Sequence, residues 1–172
     1  MNRFLCRPVG IALLTFLLVA LDQATKGMAV QYLKGQDPFV IWKGVFEFRY
    51  LENRGAAFGI FQGQRVFFLF TGVIVLIAVF YVLRHMSREA RYWPLRLIAV
   101  GILSGAWGNM IDRLRLSYVV DFFYFKLIDF PIFNVADIYV SVGTAVLVVL
   151  VLFYYKDEEL SRLLTKKGSD NS

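Results

Sequence analysis

Apolar residues in this chain fall into four long runs, set apart by polar, charge-bearing connections. From Val66 to Leu83 every position is apolar or small and none is charged, enough helix to cross a hydrocarbon core ~30 Å thick with little tilt. A second run predicts a helix over 9–33. Arg3 and Arg7 before the greasy stretch Val9 to Leu21 also fit a secretory leader, but no small-x-small cleavage site closes it. Helical spacing instead continues through Ala24, Met28 and Leu33 to a stop at Lys34 and Gly35. Two further helices are predicted over 95–114 and 135–155. The first places Gly101 four residues from Gly105 and Ser104 four from Gly108, a small-residue face for close helix packing. In the last, Ser141, Gly143 and Ala145 are the small positions.

Periodicity changes between the first two helices. Residues 36–65 contain no span; Pro38 to Trp42 and Val45 to Leu51 read as strands, the second alternating Phe46, Phe48 and Tyr50 with Glu47 and Arg49. Lys43 and Gly44 can turn them into a hairpin, a β-rich cradle whose aromatic face suits a lipid surface. The expected architecture is an all-α integral membrane domain over 1–155, four spans and this cradle, followed by a polar tail over 156–172 with a disordered end. No internal repeat is visible, which argues against the two-fold transporter architectures.

Composition agrees: 172 residues, 58% hydrophobic and 17% aromatic, with mean hydropathy +0.58, exceed what an ordinary soluble domain carries. The net charge of +6 does not form the basic stripe with interleaved aromatics that nucleic acid would require, so no nucleic-acid partner is expected. Its distribution reports topology. Arg3 and Arg7, Arg84, Arg88, Arg91 and Arg96, and Lys156, Arg162, Lys166 and Lys167 crowd three short segments, which places both termini in the cytoplasm. With one cysteine, Cys6, and one histidine, His85, neither a disulfide nor a zinc site is expected, and both residues fall on the cytoplasmic side.

Alternation through four spans then brings the unusual polar residues to one outer boundary: Asp22, Asn53, Asn109, Asp112, Arg113, Asp121, Asn134 and Asp137. Asp22 and Lys26, spaced i, i+4, share a helix face and can pair, which also fits a simple helix-end marker. Asn109, Asp112 and Arg113 share another face; a helix-end network in which Asp112 and Arg113 satisfy each other is one reading. Asn134 and Asp137 fit an N-cap with an anion in the first turn. Asp121 has no cap to serve: between Val119-Val120 and Phe122-Phe123 it is desolvated, which favours its protonated form, unless it is a loop carboxylate at the water boundary. Asn53, Arg54 and Gly55 begin a segment of amide, charge and small residues through Gly59 that could let backbone approach a ligand. Two carboxylates brought together share a proton, so one can activate water while the other donates a hydrogen bond to a carbonyl. An asparagine or arginine nearby could stabilise the oxyanion. A proton-coupled carrier using Asp22, Asp112 and Asp137 is the alternative, but the second span has almost no polar residues; a non-catalytic binding scaffold is a third.

Five motifs in order, Asp22-Gln-Ala-Thr-Lys26, Asn53-Arg-Gly-Ala-Ala-Phe58, Gly108-Asn-Met-Ile-Asp-Arg113, Val119-Val-Asp-Phe122 and Phe133-Asn-Val-Ala-Asp137, resemble those of bacterial lipoprotein signal peptidase, signal peptidase II. That resemblance implies a multi-pass aspartyl endopeptidase of the cytoplasmic (inner) membrane, working near its extracytoplasmic face. It would cut prolipoproteins before a diacylglyceryl-modified cysteine, as a monomer without cofactor or metal. Asp121 and Asp137 carry over as the catalytic dyad. Asp22, Lys26, Asn53, Asn109, Arg113 and Asn134 match positions that support the site or contact substrate; Gly55 and Asp112 lie in the same motifs. Membrane lipids are expected partners, and the peptide antibiotic globomycin the expected inhibitor.

Overall fold

A computed structural model describes residues 7–55 and 64–164; Cys6, the 56–58 part of the Asn53 motif, Gly59 and the end of the tail lie outside the described residues. Four helices are long and apolar enough to cross a membrane. Helix α1 (Pro8–Leu33) starts on a proline, whose missing N–H costs nothing in a first turn, and gives way to Gly35 at φ +75°. Helix α2 spans Arg65–His85. A single 3₁₀ turn, Ala90–Tyr92, leads into α3 (Trp93–Arg115), with Pro94 in its opening turn. Helix α4 (Val135–Val149) continues through one π-helical turn, Leu150–Tyr154. The helices therefore match the predicted spans, with ends displaced by a few residues.

Helix α3 is the centre of the bundle: half of its most apolar window is buried, against 11% or less for the other three. Its small residues are what permit this. A Cβ added at Gly105 would lie 2.5 Å from the Ala136 carbonyl oxygen and 2.7 Å from Val140 Cγ2, and one at Gly143 would lie 3.3 Å from Ile102 Cγ1. On its other sides α3 packs Val100, Leu103 and Met110 with Leu76 and Leu83 of α2, backed by Ile11, Leu14 and Leu18 of α1. Outward faces stay apolar, as at Phe16, Phe70, Ile77, Phe80 and Phe153, which suits a lipid surround.

The predicted hairpin forms. Strands β1 (Phe39–Trp42) and β2 (Phe46–Asn53) are antiparallel, turned at Gly44, φ +78°. A third strand, β3 (Val119–Tyr124), pairs antiparallel with β2 and comes from the connection between α3 and α4; Asp121 is thus a strand residue, where the sequence indicated only an apolar loop. Leu51 faces Asp121 and Asn53 faces Val119 in the ladder. On the face of β2 opposite the aromatic residues, Glu47 is buried and paired with Lys126 Nζ at 3.2 Å. The tail begins as an eight-residue helix, α5 (Asp157–Leu164). Leu160 packs on the cluster of Met86, Tyr92, Leu95 and Tyr155, and Arg91 Nε donates to Glu159 Oε1 at 2.9 Å.

Candidate active site

Where α1, α3, α4 and the sheet meet, the predicted polar residues converge. Lys26 Nζ lies 2.9 Å from Asp22 Oδ2, 3.2 Å from Asp112 Oδ2 and 2.9 Å from Asn109 Oδ1, which occupies the three donors an ammonium has. All three charged members are 3% exposed or less. The i, i+4 pair of Asp22 and Lys26 is therefore the base of a triad. Asp22 also accepts the Ala136 N–H through Oδ1 at 2.9 Å, in the first turn of α4 where the helix dipole favours an anion. Nothing larger than glycine fits beside it: a Cβ on Gly108 would overlap Asp22 Oδ2 and lie 3.0 Å from its Cγ.

Asp112 does not pair with Arg113. Besides Lys26 it accepts from Gln23 Nε2 at 3.0 Å and from the Val120 N–H at 3.0 Å, so its carboxylate ties α1 to β3 one residue before Asp121. Consecutive helical residues do not face each other, and Arg113 instead sets its guanidinium 4.7 Å from the centre of the Phe68 ring. Gln23 was not singled out in the sequence, although it lies inside the first motif; its amide also donates to the Gly108 carbonyl at 3.2 Å.

Above the triad stand Asp121 and Asp137, held by amides. Asn134 Nδ2 donates to Asp121 Oδ1 at 2.6 Å and to Asn109 Oδ1 at 3.1 Å. Asn109 Nδ2 donates to Asp137 Oδ1 at 2.8 Å. Asn53 Nδ2 donates to Asp121 Oδ2 at 2.8 Å, while its own Oδ1 accepts the Gly55 N–H at 2.9 Å. The capping geometry read from sequence is present as well: Asn134 Oδ1 accepts the Asp137 N–H, and the Asn134 N–H reaches Asp137 Oδ2 at 3.1 Å. Cap and carboxylate pair are thus one structure. Asp121 is 1% exposed. Burial pushes its acid up to about 7, the negative charge of Asp137 adds to that, and the hydrogen bonds from Asn53 and Asn134 work against it.

Asp137 opens onto a groove of about 270 Å³ between α2, α3 and α4, walled by Phe68, Thr71, Gly72, Gly105, Asn109 and Arg113 among others. Thr71 and Gly72 are a polar and a small residue in an otherwise greasy span, a signal that could have marked this wall in advance. His85 sits at the far end of α2, its Nδ1 2.8 Å from the Tyr81 carbonyl. The buried carboxylates Asp22, Asp112 and Asp121 gather at one end of the bundle, which does not favour a proton path through the membrane.

Comparison with known proteins gives one consistent answer. A family model described as Signal peptidase (SPase) II matches residues 14–153. A lipoprotein signal peptidase of Clostridium tetani is 41% identical over 78% of this chain and 86% of its own length. One of Streptococcus agalactiae is 39% identical over 88% of this chain and 96% of its own. Among solved structures, a bacterial membrane enzyme determined by the in meso method at 2.3 Å resolution superimposes with a TM-score of 0.75 at 29% identity, covering 94% of both chains.

Proposed function

The chain belongs to the signal peptidase II family, and from that premise we propose that it hydrolyses its substrates with water activated between Asp121 and Asp137. It is a multi-pass protease of the bacterial inner membrane that removes signal peptides from prolipoproteins. The finer reading is cleavage just before a diacylglyceryl-modified cysteine. The substrate's extended segment lies in the groove beside Asp137, and its acyl chains stay in the surrounding lipid. Both termini face the cytoplasm and the dyad lies near the extracytoplasmic surface, in keeping with the arginine-rich connection at the opposite end. A monomer suffices, and a globomycin-like peptide would compete for the same groove.

Asp137 acts as the carboxylate and Asp121 as the acid. Asp137 takes a proton from water as the hydroxide oxygen bonds to the scissile carbonyl carbon, while Asp121 gives its proton to the carbonyl oxygen, producing a neutral gem-diol. Collapse returns a proton from that diol to Asp121, breaks the C–N bond, and delivers the proton on Asp137 to the departing cysteine nitrogen. Arg113, on the groove wall, can stabilise charge developing on the carbonyl oxygen. The observation that carries this mechanism is the shared grip of Asn109 and Asn134 on the two carboxylates, with an Asp121 acid near neutrality.

Asp121→Asn and Asp137→Asn test it. Both amides keep the volume of the acid, and each variant, purified and folded, is incubated with a diacylglyceryl-cysteine precursor and with its unlipidated twin. Loss of cleavage in both variants, with the wild type cutting only the lipidated precursor, is the expected result. Near wild-type cleavage by either variant defeats the dyad.

A further inference from the structure

At the end of the bundle opposite the dyad, two cavities join. An apolar one of about 730 Å³ runs along the lipid-facing junction of α1, α2 and α3, walled by Ile11, Phe16, Val19, Phe80 and Trp107. A smaller one, about 230 Å³, is rimmed by Arg84, Arg88 and Arg96. They share Pro8, Ile11, Leu83 and Arg84, so the groove passes from hydrocarbon-lined to basic at the helix ends. Its rim is built rather than loose. Arg96, 2% exposed, donates to the Met86 carbonyl at 3.2 Å and to the Ser87 carbonyl, pinning the connection that carries Arg88 against the last turn of α2, which carries Arg84. Arg91, on the same connection, is bound to Glu159 and lies against Tyr154 and Tyr155.

We propose that this groove binds one anionic glycerophospholipid of the surrounding bilayer, its phosphate at the exposed Arg84 and Arg88 guanidiniums of the rim that Arg96 braces and an acyl chain in the apolar cleft between α1, α2 and α3. The occupant follows from complementarity. A soluble anion would use the basic rim but leave the long apolar wall empty, and a zwitterionic lipid would fill the wall but bring a choline cation to the arginines. A guanidinium matches phosphate oxygens in pairs, and each arginine near an anionic surface adds appreciably to lipid attraction. Assigning the lipid to the inner leaflet rests on the orientation proposed above; the binding itself does not.

The test is lipid retention by the full chain in detergent, read by native mass spectrometry against dioleoylphosphatidylglycerol and dioleoylphosphatidylcholine. Retention of the glycerol lipid should exceed that of the choline lipid by about tenfold. Arg84→Gln with Arg88→Gln, both at exposed positions, should erase that preference. Ala12→Phe, on the exposed apolar wall, should weaken retention of both lipids. Cleavage of a lipidated precursor in choline-lipid micelles should be unchanged in both variants. Equal retention of the two lipids by the wild type, or undiminished preference in the double arginine variant, overturns the proposal; so does inorganic phosphate displacing the glycerol lipid at millimolar concentration. Arginine-dependent retention by a chain that cleaves no precursor would leave the lipid site standing and defeat the peptidase mechanism instead.

Discussion

Lys26→Met isolates what the buried charge triad contributes. Methionine keeps most of the side chain's length and apolar stem but removes the ammonium, leaving Asp22 and Asp112, both 3% exposed or less, without their cation. Breaking a buried ion pair by deleting one partner costs about 3–5 kcal/mol, and for a chain of this length each kcal/mol corresponds to about 2–4 °C. The expected loss is therefore on the order of 6–20 °C in the unfolding midpoint, measured by tryptophan fluorescence in detergent micelles. Asn109 loses a donor as well, so cleavage should fall even where the variant remains folded. Lys26→Met combined with Asp22→Asn supplies the internal control. The amide keeps an oxygen to accept the Ala136 N–H while one orphaned charge is gone, and more than half of the lost stability should return. A single variant within about 0.5 kcal/mol of wild type, or a double variant no more stable than the single, would refute the triad's role.

Gly108→Ala should act at the same place by crowding: the new methyl drives Asp22 from the α4 amino end, and overpacking costs about 1–3 kcal/mol, seen as a lower midpoint and reduced cleavage, whereas Gly27→Ala, likewise a helix-interior change but with nothing within 4 Å, should leave cleavage unchanged and the midpoint level or slightly higher. Because the proposed mechanism needs Asp121 protonated and its acid is pushed up to about 7, cleavage should decline as pH rises through that value. Asn53→Ala removes a hydrogen bond that favours the Asp121 carboxylate. The acid then weakens further and the declining limb should move to higher pH by about one unit; a limb that stays put or moves down contradicts the assignment. Excess chelator should leave the rate unaltered, since both carboxylates are assigned to proton transfer; a loss restored by a divalent cation would require another mechanism.

What the sequence made legible were features set by neighbours along the chain. An uninterrupted apolar run over 66–83 admits few alternatives to a span, Lys43-Gly44 turns its hairpin locally, and Asp22 with Lys26 needs only the pitch of one helix. Strand β3 was hidden because Val119, Val120, Asp121 and Phe122 are all buried. A strand covered on both faces loses the alternation that announces it, and its partner β2 lies some seventy residues away. Asp112 was misread for a related reason: adjacency suggested Arg113, whereas the partner that competes successfully is Lys26, delivered by another helix. Asn134 and Asp137 gave two readings because the local cap and the pair with Asn109 use different oxygens of the same carboxylate, and spacing could not separate contacts that coexist.

The arrangement also explains why amides, rather than the lysine itself, touch the proposed dyad. A direct ammonium contact would hold a carboxylate in its charged form, and a pair whose members must each take up and release a proton cannot have one member locked. Lys26 reaches Asn109 Oδ1 instead, and Asn109 turns its opposite edge to Asp137. The amide thereby transmits position without transmitting a full charge. Asn134 does the same between Asn109 and Asp121. The cation is thus spent on Asp22 and Asp112, which join α1, α4 and β3 into one frame, and the proposed dyad inherits that frame's rigidity without a fixed cation against either carboxylate. Replacing Asn109 by aspartate would test this separation most sharply: it would give Lys26 a third carboxylate, set a like charge against Asp137, and should abolish cleavage in a protein whose helices still assemble.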